Sequence, residues 1–353
     1  MCSNGTAASL LRSKNHLLTP RFKKIMLFPP SFPSRAVVLA AWAFGMSAAA
    51  FAQGTAWPQK PITLVVGYPA GGSTDLVART VAQDLSARLG QPIVIENLGG
   101  AGGSIGAQKV ALAAPDGYTL LVGANNEIAI NGLVRKTVKY SLKNFTPVGL
   151  LASQPLVLTT SVSNPVKTTA DFLREAKAKP GRYSYGSSGV GTSLHVAGEM
   201  IKQQGGLFMT HIPYRGTGPL TNDLIGANLD YGVYVLSSAL PLMKAGKIVA
   251  LGTTEKKRSF ATPDVPALAE TAALKDVDIG VWFVLMGPTG MPEPIAAKLK
   301  SALAETLKAP EYRKSMEASG SVVPATQPDL NRFLIEETEK YRRIVQFAKI
   351  QDE

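Results

Sequence analysis

One pattern, used three times, constrains this chain more than any other: a short apolar run ends in a glycine-rich turn and a helix begins at once. The first copy is Val66-Gly67-Tyr68-Pro69-Ala70-Gly71-Gly72-Ser73-Thr74-Asp75, following Ile62–Val66. Val77, Val81, Leu85 and Leu89 then recur at helical spacing, and Gly90 is the stop signal. The second copy, Glu96-Asn97-Leu98-Gly99-Gly100-Ala101-Gly102-Gly103-Ser104, follows Pro92–Ile95. The third, Gly186-Ser187-Ser188-Gly189-Val190-Gly191-Thr192-Ser193, follows Tyr183–Tyr185. Such a turn presents unpaired N–H groups and the positive end of a helix dipole, which hold a small anion without any catalytic side chain. Three of them predict a binder of small anions.

The rest of the chain keeps the alternation, the mark of an α/β protein with mostly parallel sheets. Strands are predicted at 62–66, 93–95, 118–122, 156–160, 183–185, 231–235, 248–252 and 279–283. Helices should begin after Ser73, Ser104, Thr169, Ser193, Gly218 and Ser238, several with a cap-competent hydroxyl. The tail reads as helices over 292–308, 311–318 and 328–348, with Pro292 and Pro328 in first turns. No long flexible linker occurs, so two lobes would be joined by ordered crossover strands, 156–160 outward and 248–253 returning. Lobe one is then 53–159 with 252–353, and lobe two 160–251.

Residues 1–52 read as an export leader, because they carry six basic residues and no acidic one and end in the small-x-small sequence Ala50-Phe51-Ala52. The uncharged stretch from Ala36 is Ala-rich and short for a membrane anchor. Cleavage is expected before Gln53, with Met26 an alternative start. Without the leader, 31 Lys/Arg face 25 Asp/Glu, so the formal charge falls from +12 to +6. Most of the case for nucleic-acid binding leaves with it. Cys2, the only cysteine, leaves too. A periplasmic, monomeric protein is expected.

The mature chain resembles, over almost its whole length, the substrate-binding proteins of tripartite tricarboxylate transporters, the Bug family. The resemblance rests on Trp57-Pro58-Gln59-Lys60-Pro61-Ile62, on Tyr68 to Asp75 with Arg79, on Gly100-Ala101-Gly102-Gly103-Ser104-Ile105-Gly106, and on Pro115-Asp116-Gly117-Tyr118-Thr119-Leu120. Gly189-Val190-Gly191-Thr192-Ser193-Leu194-His195, Pro213-Tyr214-Arg215-Gly216, Asp264-Val265-Pro266, Trp282 and Gly287-Pro288-Thr289-Gly290-Met291-Pro292 continue it. It implies a two-lobed periplasmic-binding-protein (Venus flytrap) fold. Such a protein closes on a small organic carboxylate and delivers it to the membrane subunits of its transporter. It places the carboxylate near Tyr68, Ala70, Gly71, Gly72 and Asp75 in lobe one, and near Ser187, Gly191, Thr192, Ser193 and His195 in lobe two. Tyr68 stands where Phe is commoner, which puts a hydroxyl near the cleft mouth. Arg215 replaces a usual Lys, turning a point charge into a bidentate fork. Tyr231 to Leu236 lacks the acidic or amide residue common in relatives, which disfavours an amino-acid ligand.

Each residue also has a structural reading. Asp75 suits the first turn of a helix and would repel an anion in direct contact, so its part is to fix the loop or act through water. Thr192 or Ser193 caps a helix. His195, in a first turn, is expected to be neutral, and His211 and Trp282 structural. One of Asn125, Asn126 and Asn131 should line the pocket; Asn125 is the choice made here. Arg215 should rim the pocket or meet the distal end of the ligand. Gly100-x-Gly102-x-x-x-Gly106 imitates a dinucleotide turn, but the next strand ends in Val122-Gly123-Ala124 without the required acid. No nucleophile elbow or metal-ligand spacing occurs, so no catalytic residue, metal or cofactor is assigned. An exported receptor feeding a membrane sensor would share the same site.

Overall fold

A computed structural model describes residues 57–351; the leader and its cleavage point lie outside them. β1 (Ile62–Val66) and β3 (Thr119–Ala124) are largely buried along their length, as interior parallel strands are. β1 pairs in parallel with β3 on one side and with β2 (Ile93–Asn97) on the other. The crossover helix α1 (Ser73–Leu89) buries Val77, Ala78, Val81 and Leu85, then stops at Gly90, whose φ of 69° lets its N–H return to Ser86 O. α2 (Ser104–Ala111) connects β2 to β3. β3 runs into a π-helical turn, Asn126–Ile130, and the short α3 (Asn131–Val134).

β4 (Phe145–Ser161) belongs to two sheets. Residues 145–155 pair antiparallel with β9 (Gly280–Pro288), and residues 156–161 with β7 (Tyr231–Val235) and β8 (Ile248–Thr253). The exchange falls at Pro155, which has no N–H to give a ladder. The sequence predicts only 156–160 here, because Pro147, Gly149 and Pro155 read as strand breakers. Two register shifts against β9, at Pro147/Gly149 and Leu150/Ala152, accommodate the first two as bulges.

In the second sheet β5 (Ser184–Ser187) pairs in parallel with β7 and with β6 (Thr210–Pro213). β6 is not among the predicted strands; it is an edge strand, where its closing Pro213 is tolerated. Around this sheet lie α4 (Thr169–Ala178), α5 (Ser193–Gly205), α6 (Thr217–Ile225) and α7 (Leu236–Lys244). The last two, expected to begin after Gly218 and after Ser238, start two and three residues earlier. The strand order is β2-β1-β3-β9-β4-β7-β5-β6, with β8 on β4. The flanking strands run parallel, and β4, β8 and β9 supply antiparallel contacts at the centre.

The chain returns beside the point where it left. Thr254 N–H bonds Leu156 O, and Ile279 N–H bonds Thr254 O. β8, expected to carry the return, lies wholly in the second sheet, and residues 254–279 carry it into β9. The C-terminal helices are α8 (Glu293–Lys308), α9 (Pro310–Ala318) and α10 (Leu330–Ala348). α8 packs on α1 and β4, and α10 on α5 and the π turn. Their first-turn prolines are Pro294 and Pro310. Pro292 is instead an N-cap, and Pro328 precedes the N-cap Asp329, whose carboxylate accepts the Arg332 N–H. Among the described residues, no helix is long and apolar enough to cross a membrane.

Candidate functional site

The carboxyl ends of the strands from both sheets face one cleft of about 390 Å³, where an open α/β sheet places its ligands. Four helix N-termini converge on it: Ser73 and Thr74 of α1, Ser193 and Leu194 of α5, Thr217 and Gly218 of α6, and Ser238 of α7. Each carries the equivalent of about half a positive charge. Gly72, Gly216 and Val235, the N-caps of α1, α6 and α7, make no side-chain cap bond. The first-turn N–H groups of these helices therefore lack a side-chain acceptor from the cap. α5 differs. Thr192 Oγ1 accepts the His195 N–H at 3.4 Å, and Asn126 Oδ1 accepts the Ser193 N–H at 2.7 Å. Ser193 Oγ is buried with no hydrogen-bond partner among the described residues, a cost a ligand oxygen would relieve. Among the described residues lining the cleft none is Asp or Glu, and the exposed Arg215 has no ion-pair partner. The arrangement can hold an anion, and among the described residues lining it there is no His, Asp or Glu to serve as a base.

Of the residues expected at the site, Tyr68, Ala70, Gly71, Gly72, Ser193 and Arg215 line the cleft. Asp75, Asn125, Ser187, Gly191, Thr192 and His195 do not; they stand behind it. Asp75 is 3% exposed and accepts from Gly71 N–H (2.9 Å), Arg79 Nε (2.8 Å) and Asn97 Nδ2 (2.9 Å). Burial pushes its carboxyl up, but the bonds from Arg79, Gly71 and Asn97 outweigh burial and hold it below the usual range. It pins the first turn. Ser187 Oγ lies 2.7 Å from His211 Nε2, and Gly191 N–H donates to His195 Nδ1 at 3.1 Å. The two imidazoles stack 3.7 Å apart, and burial pushes their pKa values down to about 4 and about 3, so both are neutral. These residues build the third turn from beneath.

Asn125 is fully buried and donates to Gly280 O and Tyr341 Oη; its neighbour Asn126 lines the cleft and reaches across to α5. Asn131 donates to Ala101 O and Gly102 O and shapes the second turn. That turn, expected as a third anion holder, does not line the cleft. Its glycines let it press on the first turn: a Cβ at Gly67 would lie 2.7 Å from Gly103 O. Tyr68 also departs from expectation. Its hydroxyl turns inward and donates to Glu127 Oε2, at 2.5 Å. Of the three asparagines weighed, Asn126 and not Asn125 lines the cleft, and the residues missed were Glu127, Ser238 and the run Gly216 to Gly218. Only the last had a signal, a further Gly-rich stretch before a helix.

A family model described as tripartite tricarboxylate transporter family receptor matches residues 77–350. Protein BugT of Bordetella pertussis is 31% identical over 292 residues, 82% of this chain and 89% of that one. Two solved structures from Rhodopseudomonas palustris share the fold. One, Rpa4515 with adipate, is 32% identical with a TM-score of 0.79, covering 84% of this chain and 99% of that one. The other, MatC with bound malate, is 32% identical with a TM-score of 0.74, covering 82% and 100%.

Proposed function

Since this chain belongs to the tripartite tricarboxylate transporter receptor family, we propose that it captures a small organic carboxylate between its two lobes and delivers it to the membrane subunits of such a transporter. The family consists of periplasmic solute-binding receptors, not enzymes. One observation carries the reading to this chain: four helix N-termini and an orphaned Ser193 hydroxyl converge on a single cleft whose described lining contains no carboxylate. The same lack of a counter-charge for an ammonium group favours an acid without one. The carboxylate is held by the first-turn N–H groups of α1 and by Ser193, with Ala70, Gly71 and Gly72 giving close approach, and Arg215 reads a second carboxylate. Asp75, Ser187, Gly191, Thr192 and His195 fix the two turns. The adipate and malate of the Rhodopseudomonas palustris relatives make dicarboxylates the first class to test. The lobes divide where β4 exchanges partners and where the chain returns at Thr254. The chain is exported to the periplasm, cleaved before Gln53, and acts as a monomer.

A thermal-shift screen of residues 53–353 against mono-, di- and tricarboxylates tests this, since a ligand that binds only the native state raises its midpoint. At least one acid should raise it and be recovered unchanged. A hydrogen bond to a charged group contributes about 1.5–3 kcal/mol, so Ser193→Ala should weaken that acid roughly tenfold to a hundredfold. Arg215→Lys should weaken a dicarboxylate more than a matched monocarboxylate. A midpoint that no acid moves would overturn the reading.

A further inference from the structure

Glu127 is the buried charge that the anion cleft does not explain. It is 1% exposed, in the π turn directly after β3, and π-helical turns recur at functional sites. Its Oε1 accepts the Ala124 N–H at 2.7 Å, and its Oε2 accepts from Tyr68 Oη. Both partners line the cleft, so the carboxyl stands one residue behind the wall that would meet an anion. The backbone is cut away to admit the pair: Gly103 has φ 92°, and a Cβ there would lie 2.9 Å from both Glu127 Oε2 and Tyr68 Oη.

Either protonation state can be hydrogen-bonded. Ionised, Glu127 accepts from Ala124 and Tyr68. Protonated, it donates through Oε2 to Tyr68 Oη, and Tyr68 turns its own hydrogen to Gly102 O, 3.2 Å away. Only the charge differs, and none of the described cations is in an ion pair with it. Tyr140 donates to the Glu127 main-chain oxygen at 2.8 Å. Lys109 of α2 is paired with Glu96, and His195 of α5 is neutral. On α10, Tyr341 bonds Asn125 and Glu337. Burial without a cation pushes the Glu127 carboxyl up to about 7. A carboxylate entering the cleft near neutrality therefore meets a second negative charge behind its wall.

We propose that Glu127 couples the cleft to protons: binding of a carboxylate draws one proton from solvent onto Glu127, so the same anion is held tightly at and below neutral pH and loosened above it. This rests on the cleft being the anion site. The linkage has a definite sign. Below the pKa of the free protein Glu127 is already protonated and affinity is flat; above it, affinity falls by up to tenfold per pH unit until the pKa of the complex is passed.

The test is calorimetric titration of the mature protein with adipate and with malate between pH 6.5 and 9, in buffers of different ionisation enthalpy. The expected result is proton uptake of up to one per ligand bound and at least a threefold loss of affinity across the range. Glu127→Gln should bind with neither uptake nor pH dependence. Tyr68→Phe, which keeps the ring but removes a donor to the ionised form, should move the fall in affinity to higher pH. Binding that is independent of pH in the parent, or dependence that persists unchanged in both variants, overturns the coupling and leaves the cleft standing. Binding of neither acid at any pH overturns the coupling for these dicarboxylates, while the carboxylate reading of the cleft stands or falls with the wider thermal-shift screen.

Discussion

The His195–His211 stack gives the second lobe an acid limit. Gly191 N–H already uses the lone pair on His195 Nδ1, and the two rings lie 11° from parallel at 3.7 Å, so charging either one costs a hydrogen bond or sets cation against ring. Burial is the largest cause of both depressed values, about 4 for His195 and about 3 for His211. Unfolded, both titrate near 6.5. The stability they contribute is therefore complete above pH 6.5 and lost as pH falls towards 4, by at most about 1.4 kcal/mol per pH unit for each ring. Two carboxyls act in the opposite sense. Burial pushes Glu127 and Glu255 up to about 7, the charge of Asp278 adding to the effect at Glu255, so their contribution falls as pH rises from about 4.5 to 7. The parent's own pH curve is then shallow, and a difference isolates the stack. His211→Gln, which can still bond Ser187 but does not titrate, should lose less stability than the parent between pH 6.5 and 5 in urea unfolding. Parallel curves would show that the ring titrates alike in the folded and unfolded states, and would remove the stack as the source of the limit.

Three turns alike in sequence have three different jobs. The first lines the cleft, the third is built up from beneath by Ser187, Thr192 and His195, and the second packs against the first. Their existence and the helices they open were legible because glycine and a periodic apolar stripe are local signals. Their division of labour was not, because it depends on what each turn faces. Asn125 and Asn126 differ by one position, and only the distant acceptors Gly280 O and Tyr341 Oη turn the first of them inward. β4 was half legible for a similar reason: Pro147 and Pro155 break a strand by any local rule, and only the bulged register with β9 at the first and the change of partner strand at the second absorb them. Two glycine substitutions separate the turns by function. Gly72 has an ordinary φ of −77° and a Cβ there would come only to 3.5 Å from Pro69 O, so Gly72→Val should fold normally yet block the first turn of α1 and abolish a carboxylate-dependent thermal shift. Gly103→Ala should lose about 1–3 kcal/mol of stability, the range for strained positive φ, and show it as an earlier urea midpoint. A Gly72→Val protein that binds like its parent would remove the first turn from the site.

At the scale of the molecule, closure has to supply what neither half holds alone. Micromolar binding needs about 8 kcal/mol, more than two charge-assisted bonds from one lobe can supply at about 1.5–3 kcal/mol each. Asn126 Oδ1 on Ser193 N–H and Arg135 on Val190 O already tie the halves together. Small-angle scattering should show the parent contracting when the acid is added, by movement about the neighbouring crossings at Leu156 and Thr254, whereas Gly72→Val stays extended. The placement of β9 has another consequence, in time. It inserts between β3 and β4, so Leu121 waits for Met286, whereas every strand of the second sheet lies between residues 156 and 253. A chain made from its N-terminus can complete its later sheet first and its earlier sheet last. The half that begins the sequence stays open at one edge until nearly four-fifths of the chain has emerged, which is the unfinished state that the export proposed above requires.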